Sequence, residues 1–129
     1  MSAQRVAADP TRWSYVCSAA QIVPNTGVCA RVGDRQIAVF CVVLPGDAKA
    51  QYFALDNIDP RSGAAVLSRG LIGDLGGIAV VASPIYKQHY ALHTGVCIED
   101  EHLSVACHEL RVSDGMIVVR VPLPAGSAA

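Results

Sequence analysis

The histidines and cysteines of this chain could do chemistry if they met. His89, His93, Cys97, His102, Cys107 and His108 fall within one stretch of the sequence. Imidazole and thiolate together are the donor set of zinc, which needs about four ligands converging in a tetrahedron. The spacing 89, 93, 97 would line one face of a helix. Thr94-Gly95 interrupts any helix there, and the flanks are rich in strand formers. No CxxC pair imposes a site locally, so the other reading is surface histidines and buried thiols. Cys107 and His108 are adjacent, and adjacent side chains in a strand point to opposite faces, which argues against a nucleophile–base dyad. Cys17, Cys29 and Cys41 each lie in an apolar run and read as small core hydrophobes. "GDLGG" (73–77) lacks the lysine and spacing of a phosphate loop and reads as a turn. Glu99-Asp100-Glu101 reads as a solvated turn, with an acidic docking patch as the alternative.

The elements that must position these residues are strands. "WSYVCS" (13–18), "VCARV" (28–32), "RQIAVFCVV" (35–43), "QYFALDN" (51–57), "GIAVVAS" (77–83), "LSVACHELRV" (103–112) and "MIVVRV" (116–121) are crowded with β-branched residues. Gly33-Asp34 and Ser113-Asp114-Gly115 are hairpin turn signals. Helix signals are confined to "DPTRW", a possible turn start, and "SAAQIVP" (18–24), one helical turn stopped by Pro24. Many short strands with Gly and Pro punctuation predict an all-β sandwich or small barrel. The tail "PLPAGSAA" reads as frayed.

Composition narrows the function classes. The chain has 129 residues, 52% of them apolar and 16% charged, which suits one domain with a real core. One Trp, four Tyr and two Phe leave that core aliphatic. The net charge is −1 and the ten Lys and Arg are scattered, so no nucleic-acid partner is expected. The longest apolar run, "IAVFCVVL" (37–44), is far short of the roughly 20 residues of a membrane helix. "MSAQRVAADPTRW" has no apolar core of a secretion signal. Five cysteines, an odd number, do not form a disulfide framework, and a cytoplasmic setting with reduced thiols is expected.

Two loops carry a more specific signal. "YFALDNIDPRSGAAVLSRG" (52–70) and "VVASPIYKQHYALHTG" (80–95) together resemble the two metal-binding loops of the Rieske domain. In that family the loops carry Cys-Pro-His and Cys-Pro-x-His, and a [2Fe–2S] cluster sits between them on two thiolates and two imidazoles. The resemblance places Asp59-Pro60-Arg61 and Ser83-Pro84-Ile85-Tyr86 at these motifs, so Asp59, Arg61, Ser83 and Tyr86 stand at the four ligand positions. Tyr90, Leu92, Thr94 and Gly95 keep the aromatic, leucine and Thr-Gly positions that follow, and "ELRVSDGMIVV" resembles the closing hairpin. A hydroxyl does not replace a thiolate on iron, and a guanidinium stays protonated and cannot ligate. The segment between the loops, 62–82, is longer than in cluster-bearing members. The expected organisation is an N-terminal arm (1–12), a Rieske-like domain (13–121) and a tail (122–129).

The strings "NIDP", "VLSRGLI", "ASPIYKQ" and "GVCIEDE" are similar to one Rieske branch, the small subunits of bacterial NAD(P)H-dependent assimilatory nitrite reductases. The resemblance implies a non-catalytic subunit with no cofactor of its own, beside a large catalytic subunit carrying FAD, an iron–sulfur cluster and siroheme, which converts nitrite to ammonium. A loop frame kept without its ligands, with Pro60, Pro84 and Gly95 in place, points to docking at the loop tips, with Pro60, Arg69, Pro84 and Lys87 as interface candidates. Alternatively Asp59 and Arg61 pair, while Ser83 and Tyr86 hydrogen-bond locally to fill the vacated space. The competing functions are a Rieske-type ferredoxin, which needs ligands this chain lacks, and a metal-binding regulatory β-module using the His/Cys set.

Overall fold

The apolar run at 37–44 organises the molecule. The structure, a computed structural model, describes residues 11–122. The run forms most of strand β3 (Arg35–Val42), whose residues 37–42 are all buried. A strand apolar on both faces belongs between two layers. Ala38, Phe40 and Val42 enter one core with Leu55, Leu67, Val81, Tyr90 and Leu92. Ile37, Val39 and Cys41 enter a second core with Ala54, Ile117, Val119 and Val121. The period-2 alternation of one strand thus supplies both cores.

Among the described residues, nine strands make two antiparallel sheets. The larger contains β1 (Thr11–Ser18), β2 (Thr26–Val32), β3, β4 (Gln51–Asp56), β8 (Cys107–Ser113) and β9 (Met116–Pro122), in the order β1-β9-β8-β4-β3-β2. The smaller contains β5 (Leu71–Leu75), β6 (Ile78–Ala82) and β7 (His89–Ala91), in that order. Gly33 turns β2 into β3, and Asp114-Gly115, both at positive φ, turn β8 into β9. β4 and β8 are paired by a short register, Ala54–His108 and Leu55–Cys107. His108 Nε2 lies 2.7 Å from Asp56 Oδ1 and Arg35 forks onto the same carboxylate, tying β3, β4 and β8 at that junction.

The expected all-β class is found, and the helical turn expected within 18–24 is a short 3-10 helix at Ala19–Gln21. Several expectations need correction. "GDLGG" is not all turn: Gly73, Asp74 and Leu75 lie in β5, and only Gly76-Gly77 turn. β7 was not expected as a strand. β8 begins at Cys107 rather than Leu103, because 103–105 are held by the 95–97 segment instead of a neighbouring strand. Cys29 is exposed on β2, the edge strand of the large sheet, with its thiol beside the polar side chains of Gln36 and Asn57 rather than in a core. β1 extends back to Thr11, inside the expected arm, and β9 forward to Pro122. The rest of the arm and tail lies outside the described residues.

Candidate functional site

Two loops meet at the end of the small sheet. The first leaves β4 and runs to a 3-10 turn at Leu67–Arg69; the second joins β6 to β7. Asn57 anchors the first: its side-chain oxygen accepts from Ser68 N at 2.7 Å and its carbonyl accepts from Leu67 N. Pro60 then sits in a turn closed by Gly63 N donating to Asp59 O. In the second loop Lys87 N donates to Ser83 O and Ser83 N to Gln88 O, closing the turn that carries Pro84. Gly70 lets the loops approach, since a Cβ there would lie 2.3 Å from Ala82 O.

The four candidate ligand positions are brought together, as two pairs across the loops. Ser83 Oγ donates to Asp59 Oδ2 at 2.6 Å. Both residues are buried. Tyr90 O–H donates to Asp59 Oδ1 at 3.3 Å and Arg61 N to the same oxygen at 2.9 Å. Above them, the Arg61 guanidinium lies over the Tyr86 ring, 5.1 Å from its centroid. Arg61 and Tyr86 are exposed. The expectation that Asp59 would pair with Arg61 is therefore corrected. The Asp59 carboxylate turns inward to hydroxyls, where a guanidinium would have to be buried with it, and Arg61 stacks outward. Ser83 does bond locally, accepting from Ile85 N at 3.3 Å, but its proton goes to the other loop.

Charge on Asp59 is well supported. Burial alone would raise its carboxyl, but donation by Ser83, the Arg61 amide, Ser62 and Tyr90 outweighs it and holds the group below the usual carboxylate range. Tyr90 moves the other way: burial and then the Asp59 charge push its phenol well above the ordinary value, so it stays a proton donor.

These residues do not fit a [2Fe–2S] cluster. Two cluster positions hold an acid and a hydroxyl already bonded to one another, and the other two hold a stacked guanidinium and phenol. The His/Cys set does not gather either. His89 pairs with Glu99, His108 with Asp56, and the Cys107 thiol is directed at the Leu92 and His93 carbonyls. Among the described residues no group of three or more His, Cys, Asp or Glu could hold a metal ion. His93, Cys107 and His108 do line a cleft of about 340 Å³ with Tyr52 and Glu109, at the β4–β8 junction and away from the loops. Cys107 is exposed and His108 buried, as opposite faces of a strand require.

Comparison with known proteins agrees with this frame. A profile of the Rieske-like [2Fe-2S] domain matches residues 12–120. The nitrite reductase (NADH) small subunit of Escherichia coli K12 is 46% identical over 110 residues, covering 85% of this chain and 98% of that one. The chain belongs to the nitrite reductase small-subunit family. A crystal structure from Mycobacterium tuberculosis, assigned as an NADH-dependent nitrite reductase small subunit, superposes with a TM-score of 0.80 at 38% identity, over 90% of this chain and all of that one. A further relative is a segment of a longer protein. The nitrite reductase [NAD(P)H] large subunit of Klebsiella oxytoca is 41% identical over 119 residues, which is 92% of this chain and 12% of that one.

Asp59, Arg61, Ser83 and Tyr86, singled out in the sequence, do meet across the loops, but what joins them was not foreseen. Tyr90 was visible only as a kept aromatic; its hydroxyl on Asp59 was not foreseen. Asn57 gave no signal beyond a polar residue at a strand end. Pro60, Arg69, Pro84 and Lys87 are all exposed at this end, with Arg69 closing the 3-10 turn and Lys87 at φ 64. No helix among the described residues is long and apolar enough to cross a membrane.

Proposed function

We propose that this chain is a non-catalytic accessory subunit of an NAD(P)H-dependent nitrite reductase, docking through its two loops on a large catalytic subunit in the cytoplasm. In this reading FAD, the iron–sulfur cluster and siroheme belong to the large subunit, and nitrite is reduced to ammonium there. One observation carries the reading most: in Klebsiella oxytoca the counterpart of 92% of this chain is a segment of a large-subunit polypeptide. A domain that one organism carries within the large chain is expected to sit beside that chain when made separately. The loop geometry favours docking over electron transfer, because the ligand positions of a Rieske ferredoxin are occupied by an Asp–Ser bond and an Arg–Tyr stack. Pro60, Arg69, Pro84 and Lys87 are the interface residues, exposed on loops that a rigid sheet presents.

The test is co-purification with the large subunit of the same genome, followed by nitrite-dependent NAD(P)H oxidation with and without this chain. Association together with a change in rate or in large-subunit stability supports the reading. A chain that neither associates nor changes either quantity defeats it.

A further inference from the structure

The loop end presents positive charge that no ion pair among the described residues neutralises. Arg61, Arg69 and Lys87 are exposed, and the ion pairs found among the described residues use other cations. The carboxylate of the same loop, Asp59, is buried and turned toward Ser83 and Tyr90. Around these cations stand apolar side chains open to solvent: Ile85 at 45% exposure, Tyr86 at 54% and Leu71 at 80%. Leu71 is paired with Ala82, so it borders the turn that begins at Ser83. The Arg61–Tyr86 stack lies among them.

Arg and Tyr are enriched at the few positions that carry binding energy, and a stacked pair has already lost much of its side-chain freedom before association. A guanidinium held over a ring still has its N–H donors to offer to a carboxylate. We propose that the Arg61–Tyr86 stack is the centre of the docking surface, and that it meets an apolar patch of the large subunit bearing at least one carboxylate. This rests on the docking reading above and adds the partner's chemistry. Charge complementarity selects that occupant over a second copy of this chain. A two-fold contact through the same patch would set Arg61, Arg69 and Lys87 against themselves.

The experiment measures binding of the full chain to the large subunit of the same genome, at low and high salt. The proteins are wild type, Arg61→Gln, Arg61→Lys, Tyr86→Ala, Tyr86→Phe and the distant control Asp114→Asn. Wild-type affinity is expected to fall several-fold, roughly tenfold, as salt rises. Arg61→Gln and Tyr86→Ala are expected to weaken binding by about tenfold or more. Arg61→Gln should also flatten the salt dependence, which a merely structural role would not do. Arg61→Lys and Tyr86→Phe are expected to keep part of the affinity, and Asp114→Asn all of it, with melting temperatures close to wild type. If wild type does not bind, the docking reading falls and this inference with it. If wild type binds and Arg61→Gln and Tyr86→Ala bind as tightly, or affinity ignores salt, the inference is overturned and the docking reading stands. Self-association of wild type that Arg61→Gln abolishes overturns the choice of partner.

Discussion

Ser83 Oγ donates a 2.6 Å hydrogen bond to Asp59 Oδ2, joining two loops at the positions the family resemblance gives to two thiolates. Both residues are buried, so the bond is charge-assisted and shielded from water. Ser83→Ala should destabilise the domain by about 1.5–3 kcal/mol, since a buried carboxylate loses a donor. Asp59→Ala should cost at least as much, because it leaves the Ser83 and Tyr90 hydroxyls without their acceptor. The double variant should cost less than the sum of the two. Urea unfolding of the three proteins checks this; strict additivity would mean the bond contributes nothing.

Acid should unfold the domain partly through this site. The folded pKa of Asp59 is depressed, mainly by the Ser83 bond working against burial. Its stabilising contribution is therefore complete above the unfolded value, about 4, and is lost as pH falls through the lower folded value. Asp59→Asn removes that titration. It should lose less stability than wild type between neutral pH and pH 3, although Asp56 and Glu99, also depressed, keep part of the slope. Denaturation midpoints across that range decide it, and equal slopes would count against the assignment.

The Thr94-Gly95 turn is a packing requirement. Gly95 has φ 82, and a Cβ there would lie 2.0 Å from the Val105 carbonyl oxygen, whose residue donates its amide back to Gly95 O. Gly95→Ala should cost about 3 kcal/mol or more, from left-handed strain and a backbone clash together. Thermal unfolding checks it, with Gly46→Ala, at positive φ but with open space around it, as the comparison. A Gly95→Ala loss no greater than that of Gly46→Ala would remove the clash from the account.

Thiol alkylation should sort the cysteines. All five are free. Cys29 is exposed and should be labelled in the native protein, while Cys41 and Cys97 are buried and should be protected until unfolding. Cys107 is exposed, but partial burial raises its thiol, so it should react more slowly than an ordinary accessible cysteine. Mass spectrometry of a native labelling time course gives the order, and early labelling of Cys41 would contradict the position of β3.

The sequence carried the large sheet through the Ile- and Val-rich runs of β3 and β9, the Tyr52-Phe53 pair of β4, and the turn signals at Gly33-Asp34 and Asp114-Gly115. β5 was hidden because Gly73 and Asp74 are poor strand formers on their own. It is held by pairing with β6, a contact no local pattern announces. β7 has three residues, too few for alternation to show. At the site the positions were legible through the prolines and the Thr-Gly turn that frame them. The pairing was not, because Asp59 and Arg61 suggest an ion pair by proximity in sequence. Burial decided otherwise: the hydroxyls of Ser83 and Tyr90 come from elements far along the chain.

Two side-chain pairs, Asp59–Ser83 and Arg61–Tyr86, join the loops at the positions the family resemblance gives to the iron–sulfur ligands. Iron and acid-labile sulfide analysis, with a visible spectrum, after anaerobic expression and anaerobic reconstitution of the untagged chain tests this arrangement most directly. No stoichiometric iron and no visible bands are expected. Two irons and two sulfides per chain, with the absorption of a [2Fe–2S] centre, would contradict it.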